Sequence, residues 1–390
     1  MSFSPPPSAG ETRDFSDWAD FFRFLAASLV AFSHARDLVV TDYAGEKAWA
    51  AYYAVAGFLH SGVIMFFVLS GYWIGRAVLR RIDRQTFWRD YLVDRLSRLL
   101  IVLVPALVFG GAFDLIGFRA LHLPIYDGLL GQHSLGPHLE RQLTATTFLG
   151  NLAFLQMVLV PVWGTNGPLW SLCYEFWYYV WFPALVLLLA RRRPTLALAG
   201  LVTGLINPAI AFGFISWLIG VALYRWVERR GGSDLASRRW PGPAILAAMA
   251  AMLVALAVAR SHIGAVTDPF LALAFALLLA AMVHERLAFP RVLRLAAAYG
   301  RRSSFSLYVS HFPFMTLVAG LILGNRARLL PAIGPAALTI AMTLAAIGLG
   351  WLFSLATERH TQVLRQWLNR RLSGRPAQSA LPVAADSGHG

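Results

Sequence analysis

The chain has 390 residues, 57% hydrophobic and only 14% charged, with a mean hydropathy of +0.58. A soluble globular domain carries about 25% charged residues, so this composition excludes an ordinary soluble enzyme and points to a polytopic membrane protein. The net charge of +14 does not point to nucleic acid, because the arginines border apolar runs, which is how membrane proteins distribute them.

Residues 1–20 are Pro/Ser-rich and then acidic (Glu11, Asp14, Asp17, Asp20). They lack the basic start and short apolar core of a cleavable signal, so they are expected to form a disordered cytoplasmic N-terminus ahead of an uncleaved first span. Runs near the roughly 20 residues that cross a bilayer predict ten helices: 21–41, 57–79, 97–118, 168–190, 194–207, 209–226, 242–260, 268–285, 303–324 and 333–356. The pair around Asn207-Pro208 is the shortest. Residues 357–390 form a basic, helix-like stretch followed by a polar cytoplasmic tail. The fold class expected is all-α.

With ten spans both termini lie on one side. That side collects 27 of the 34 Lys and Arg residues, leaving 7 on the other, and this asymmetry assigns both termini to the cytoplasm. Residues 146–163 are apolar, but a span there would carry Arg191–Arg193 outside, so a re-entrant or interfacial piece broken by Pro161 and Gly164 is expected. Loop 119–145 holds His122, His133 and His138 at spacings that define no metal site. The single Cys173 can form no intrachain disulfide and says little about compartment.

Five stretches carry polar groups where lipid would disfavour them. FRFLAASLVAFSHA (22–35) places Arg23 and His34 eleven residues apart, about three helical turns, on one face and roughly 16 Å apart along the axis. GVIMFFVLSGYWIGR (62–76) has a Ser70-Gly71 break and ends in Arg76. DRLSR (94–98) sets Arg95 and Arg98 one turn apart at the inner end of the third span. GTNGPLWSLCYEFWYYVWFP (164–183) enters from outside with Trp170, Tyr174 and Glu175. SFSLYVSHFPF (304–314) buries His311 in the ninth span; its neighbour Ser310 points to a different helix face, so the two are no nucleophile–base pair. A boundary arginine ordinarily snorkels and an intramembrane histidine ordinarily bridges helices. Against those readings, an ionisable group inside a membrane is costly and marks function by default. No Gly-rich phosphate loop, metal motif or serine-hydrolase elbow is present.

These residues resemble the integral-membrane acyltransferase 3 family. RFLAASLVAFSHA is similar to its Arg-x10-His first helix, FFVLSGYWIGR to its FFVLSGF segment, GPLWSLCYEFWYY to GPLWSL-x-x-E-x-x-[FY], and FSLYVSHFPF to S-[FY]-S-L-Y-L-x-H-x-P, in order across residues 20–356. Many members have two adjacent acids where this chain has Glu175 followed by Phe176, so only Glu175 is carried over. The resemblance implies an enzyme of the bacterial cytoplasmic membrane that moves an acyl group, acetyl foremost, from acyl-CoA to a hydroxyl of a carbohydrate such as exopolysaccharide or O-antigen. It needs no metal. His34 would be general base or acyl carrier, with Glu175 orienting it or holding acceptor. Arg23, Arg76, Arg95 and Arg98 would hold the CoA phosphates, guanidinium being suited to phosphate. Ser70, Trp170, Tyr174 and His311 would serve the substrates or support the site. An acyltransferase of a small secreted metabolite, or a transporter of a lipid-linked sugar using the same intramembrane charges, is the alternative. The missing inverted repeat weighs against transport.

Overall fold

In lipid every backbone N–H and C=O must be satisfied within the chain, so long apolar runs have little choice but the helix. The computed structural model describes residues 13–128, 130–190, 203–230, 240–261, 264 and 267–373, and everything below concerns these; no β-strand forms among them. The long helices are α1 (Arg13–Val39), α2 (Leu59–Leu79), α3 (Phe87–Leu115), α4 (Leu169–Leu189), α5 (Pro208–Arg230), α6 (Pro243–Ser261), α7 (Thr267–His284), α8 (Arg294–Leu323) and α9 (Ile333–Ala356). The shorter α10 (Thr361–Ser373) follows. Helices α2 to α9 are each long and apolar enough to cross a membrane. The protein is a polytopic all-α membrane protein.

Helix α1 is long enough, at 27 residues, but carries Asp14, Asp17, Asp20, Arg23, Arg36 and Asp37. It tolerates them because α2, α8 and α9 pack against it, so its polar groups face protein rather than lipid. It begins at Arg13, not at the expected residue 21. Asp17 and Asp20 receive Arg301 of α8 at 2.6 and 2.7 Å, and Asp20 also receives Arg23 at 2.6 Å. These acids thus have ion-pair partners, and Asp14, in the first turn, suits the helix dipole. Residues 13–20 therefore belong to the bundle, while 1–12 lie outside the described residues.

The expected third and ninth spans also begin early, at Phe87 and Arg294. Arg95 and Arg98 consequently lie within α3, and not at its start. The fifth expected span, 194–207, falls mostly outside the described residues, as do Arg191–Arg193, Arg238, Arg239 and the tail beyond 373. Its described end runs past the Trp181 ring at Gly204 to the Tyr174 hydroxyl at Asn207, antiparallel to α4.

Residues 145–163 hold no spanning helix. A short helix, Ala145–Leu152, is followed by irregular chain. Buried Asn151 binds that chain: its amide donates to Thr147 O at 2.8 Å and Pro161 O at 2.9 Å, and its carbonyl accepts from Trp163 N at 3.1 Å. Protein thus satisfies backbone that lipid would not.

Close helix approach sets the core. A Cβ on Gly71 would stand 2.0 Å from Trp217 O, and one on Gly220 2.0 Å from Val68 O. Helices α2 and α5 therefore touch backbone to backbone, as small residues permit in membrane bundles. That crossing places one face of α2 towards α1, α3 and α4, where the cavity forms. Helix α10 docks on α3 through Arg365 and Asp94, 3.2 Å apart.

Candidate active site

Helical periodicity assembles an internal cavity of about 800 Å³, its open mouth included. Val63, Phe66, Ser70 and Trp73 line it from α2, each three or four residues beyond the last. Ser171, Glu175 and Tyr179 form an i, i+4, i+8 stripe on α4, and Ser304 and Tyr308 an i, i+4 pair on α8. Arg23 from α1 and Arg95 and Arg98 from α3 complete the wall.

The charged lining is three guanidiniums against one carboxylate. Arg23 is held by Asp20 and lies 5.5 Å from the Trp73 ring centre. Arg95 lies 6.0 Å from the Tyr91 ring centre, and its Nε is buried with no hydrogen-bond partner among the described residues. Glu358, which accepts from the Ser306 hydroxyl at 2.8 Å, stands within electrostatic range of Arg98 and Arg23. A site of this kind stabilises an anion that brings several oxygen acceptors.

Glu175 belongs to this cavity. Its carboxylate accepts from the Tyr179 hydroxyl, which in turn receives Ser70 at 3.4 Å. The expectation that it orients His34 is not met; a different residue bonds that imidazole. Ser70 lines the cavity and accepts from Trp217 Nε1 at 3.2 Å. Arg76 is buried with its guanidinium 5.6 Å from the Trp73 ring centre, and does not line the cavity. Nor do Trp170 and Tyr174. Trp170 stacks on His60, which binds Asp268 at 2.9 Å, and Tyr174 receives Asn207 at 3.4 Å.

Beyond Tyr308 sit the two histidines. Tyr308 shares a 2.6 Å hydrogen bond with Ser171 at the cavity wall, and its ring centre lies 6.1 Å from that of His311. His311 is fully buried and its ring centre is 5.4 Å from that of His34, which is 6% exposed. The Nδ1 of His311 lies 3.0 Å from Leu307 O, and a carbonyl only accepts, so Nδ1 carries the proton and Nε2 a lone pair. That Nε2 is buried without a partner among the described residues. His34 Nδ1 is 3.1 Å from Ser134 Oγ.

Of the four arginines grouped from the sequence, Arg23, Arg95 and Arg98 line one cavity and Arg76 does not; Tyr179, Ser171, Tyr308 and Ser134 were not among the expected site residues. The first three were discoverable as helical neighbours of Glu175 and His311. Ser134 comes from a loop 100 residues away, and no spacing signals it. Among the described residues no cluster of His, Cys, Asp and Glu suits a metal.

A polytopic helical membrane protein with a basic internal cavity and a buried histidine pair is the class that fold and site define. A family model described as an acyltransferase domain, that of the acyltransferase 3 family, matches residues 16–355. The chain belongs to that family and is a membrane acyltransferase. No curated protein and no solved structure matches it.

Proposed function

We propose that this acyltransferase takes its acyl group, acetyl foremost, from acyl-CoA at the cytoplasmic face of the bacterial inner membrane and passes it to a hydroxyl of a carbohydrate such as exopolysaccharide or O-antigen. The observation that supports this most directly is the convergence of Arg23, Arg95 and Arg98, from two helices, on one cavity. Guanidiniums match phosphate oxygens in fork geometry, and CoA carries phosphates at one end and its thioester at the other. The phosphates bind the arginines, and the thioester end points past Tyr308 towards the histidines. The acceptor oxygen attacks the thioester carbonyl carbon, the C–S bond breaks, and CoA leaves as its thiol. His34 takes the hydroxyl proton as general base and passes it to the departing sulfur. Glu175 and Tyr179 fix the cavity wall along which the donor lies.

Purified protein given acetyl-CoA and an acceptor glycan should release free CoA thiol and acetylated glycan. Absence of thiol release with every acyl-CoA tried, with or without acceptor, would refute the donor assignment. Orientation is tested separately. Cys173 is buried, so background labelling is low. Glu140→Cys, in the loop after α3, should react with an impermeant maleimide added to intact cells, and Gln85→Cys, between α2 and α3, should not; both positions are exposed. Reversed labelling would place the arginine-lined end outside.

A further inference from the structure

We propose that Ser134 is a positioning residue for His34, held on the imidazole by Asp37, so that the loop between α3 and α4 completes the active site. The proposal rests on His34 acting as the base.

Asp37 follows His34 by three residues on α1, so both side chains lie on one face. One loop residue meets both. Ser134 N donates to Asp37 Oδ2 at 2.9 Å, while Ser134 Oγ lies 3.1 Å from His34 Nδ1. The preceding residue is fixed by the same carboxylate, His133 N donating to Oδ1 at 3.2 Å. Gln132 is buried, and its amide donates to Leu38 O at 3.4 Å. Three successive loop residues are therefore tied to the last turn and a half of α1. Asp37 is itself faced by Arg36 at 4.0 Å and Arg328 at 3.8 Å. A carboxylate that accepts two adjacent backbone N–H groups leaves their residue little freedom to turn its hydroxyl away.

The consequence is for the imidazole. A neutral histidine offers one donor and one acceptor nitrogen. With His34 Nδ1–H donating to Ser134 Oγ, the lone pair is on Nε2, the nitrogen left to act as base. When Nε2 takes the acceptor's proton, Nδ1–H still donates to Ser134, and that bond strengthens as the ring becomes charged. Ser134 thus acts only in the proton-transfer step. The His34 ring also packs against Phe312 at 4.6 Å and against His311, and neither ring contact selects a tautomer.

The test is steady-state thiol release by the full-length protein with acetyl-CoA and glycan. Ser134→Ala should lower kcat about tenfold to hundredfold, the range for a lost hydrogen bond to a charged group, with KM for acetyl-CoA unchanged. Ser134→Thr, which keeps the hydroxyl, should restore most of kcat. Asp37→Asn retains one acceptor oxygen and should lower kcat to a smaller extent. A loop that merely packs would be indifferent to the hydroxyl, so Ser134→Ala at the wild-type kcat overturns the proposal. So does failure of Ser134→Thr to rescue. Acyl group recovered on the Ser134 peptide after acid quench also overturns it, by making the serine a carrier. Full turnover by His34→Gln would instead remove the base assignment on which the proposal rests, and the two failures are read from different variants.

Discussion

His34→Ala is expected to lower turnover by about 10² to 10⁴, the contribution of a positioned general base, while the protein still inserts and binds donor. The fold should survive because α1 is rich in alanine around this position, with Ala26, Ala27, Ala31 and Ala35 all buried, and alanine is the best helix former. The vacated space is bounded by Phe312 and His311, whose packing on α8 does not depend on His34. His34→Gln separates shape from chemistry: it keeps the volume and a donor for Ser134 but carries no base near neutral pH. Both variants should bind acetyl-CoA with the wild-type Kd, since the arginines that line the cavity are untouched. Turnover by His34→Gln at the wild-type rate would sink the assignment and move attention to His311 Nε2, which is buried without a hydrogen-bond partner among the described residues.

The fold was legible wherever hydropathy carried the information. The span expected at 333–356 coincides with α9, and that at 168–190 is within a residue of α4. The errors share one cause. Hydropathy marks where lipid ends, whereas a helix ends where its backbone loses its partners. Helices α1, α3 and α8 continue through charged residues because Asp20 finds Arg301 and Asp94 finds Arg365, pairings that no local window contains. The site divides in the same way. Arg95 and Arg98 were readable from their one-turn spacing, and Ser171 and Tyr179 follow from Glu175 once the helix is granted. The separation of Glu175 from His34, and the arrival of Ser134 in its place, are tertiary facts. Arg76 was grouped with the rim because it ends the apolar run of α2, yet it does not line the cavity, and its guanidinium lies 5.6 Å from the Trp73 ring centre.

Replacing Arg95 or Arg98 by alanine should raise KM for acetyl-CoA about tenfold to hundredfold with kcat largely kept, since a charge-assisted phosphate contact is worth roughly 1.5–3 kcal/mol. Phosphate lies far from the thioester and is bound alike in ground and transition states, which is the signature of uniform binding. Arg95 is the sharper case, because its buried Nε has no hydrogen-bond partner to lose among the described residues. Lysine at either position should rescue only in part, being a point charge without the guanidinium fork. The double variant should cost less than the sum of the two single free energies, because neighbours that share one ligand do not act independently. Arg23 will behave differently. It is bonded to Asp20, which also holds Arg301 of α8, and it sits on the helix that carries His34. Its loss should therefore lower kcat as well as raise KM, through displacement of α1 along α8. The alternative is that all three arginines only anchor helix ends to anionic lipid. Arg95 and Arg98 variants with an unchanged KM for acetyl-CoA would decide for that alternative, and the donor's phosphates would have to be sought outside this cavity.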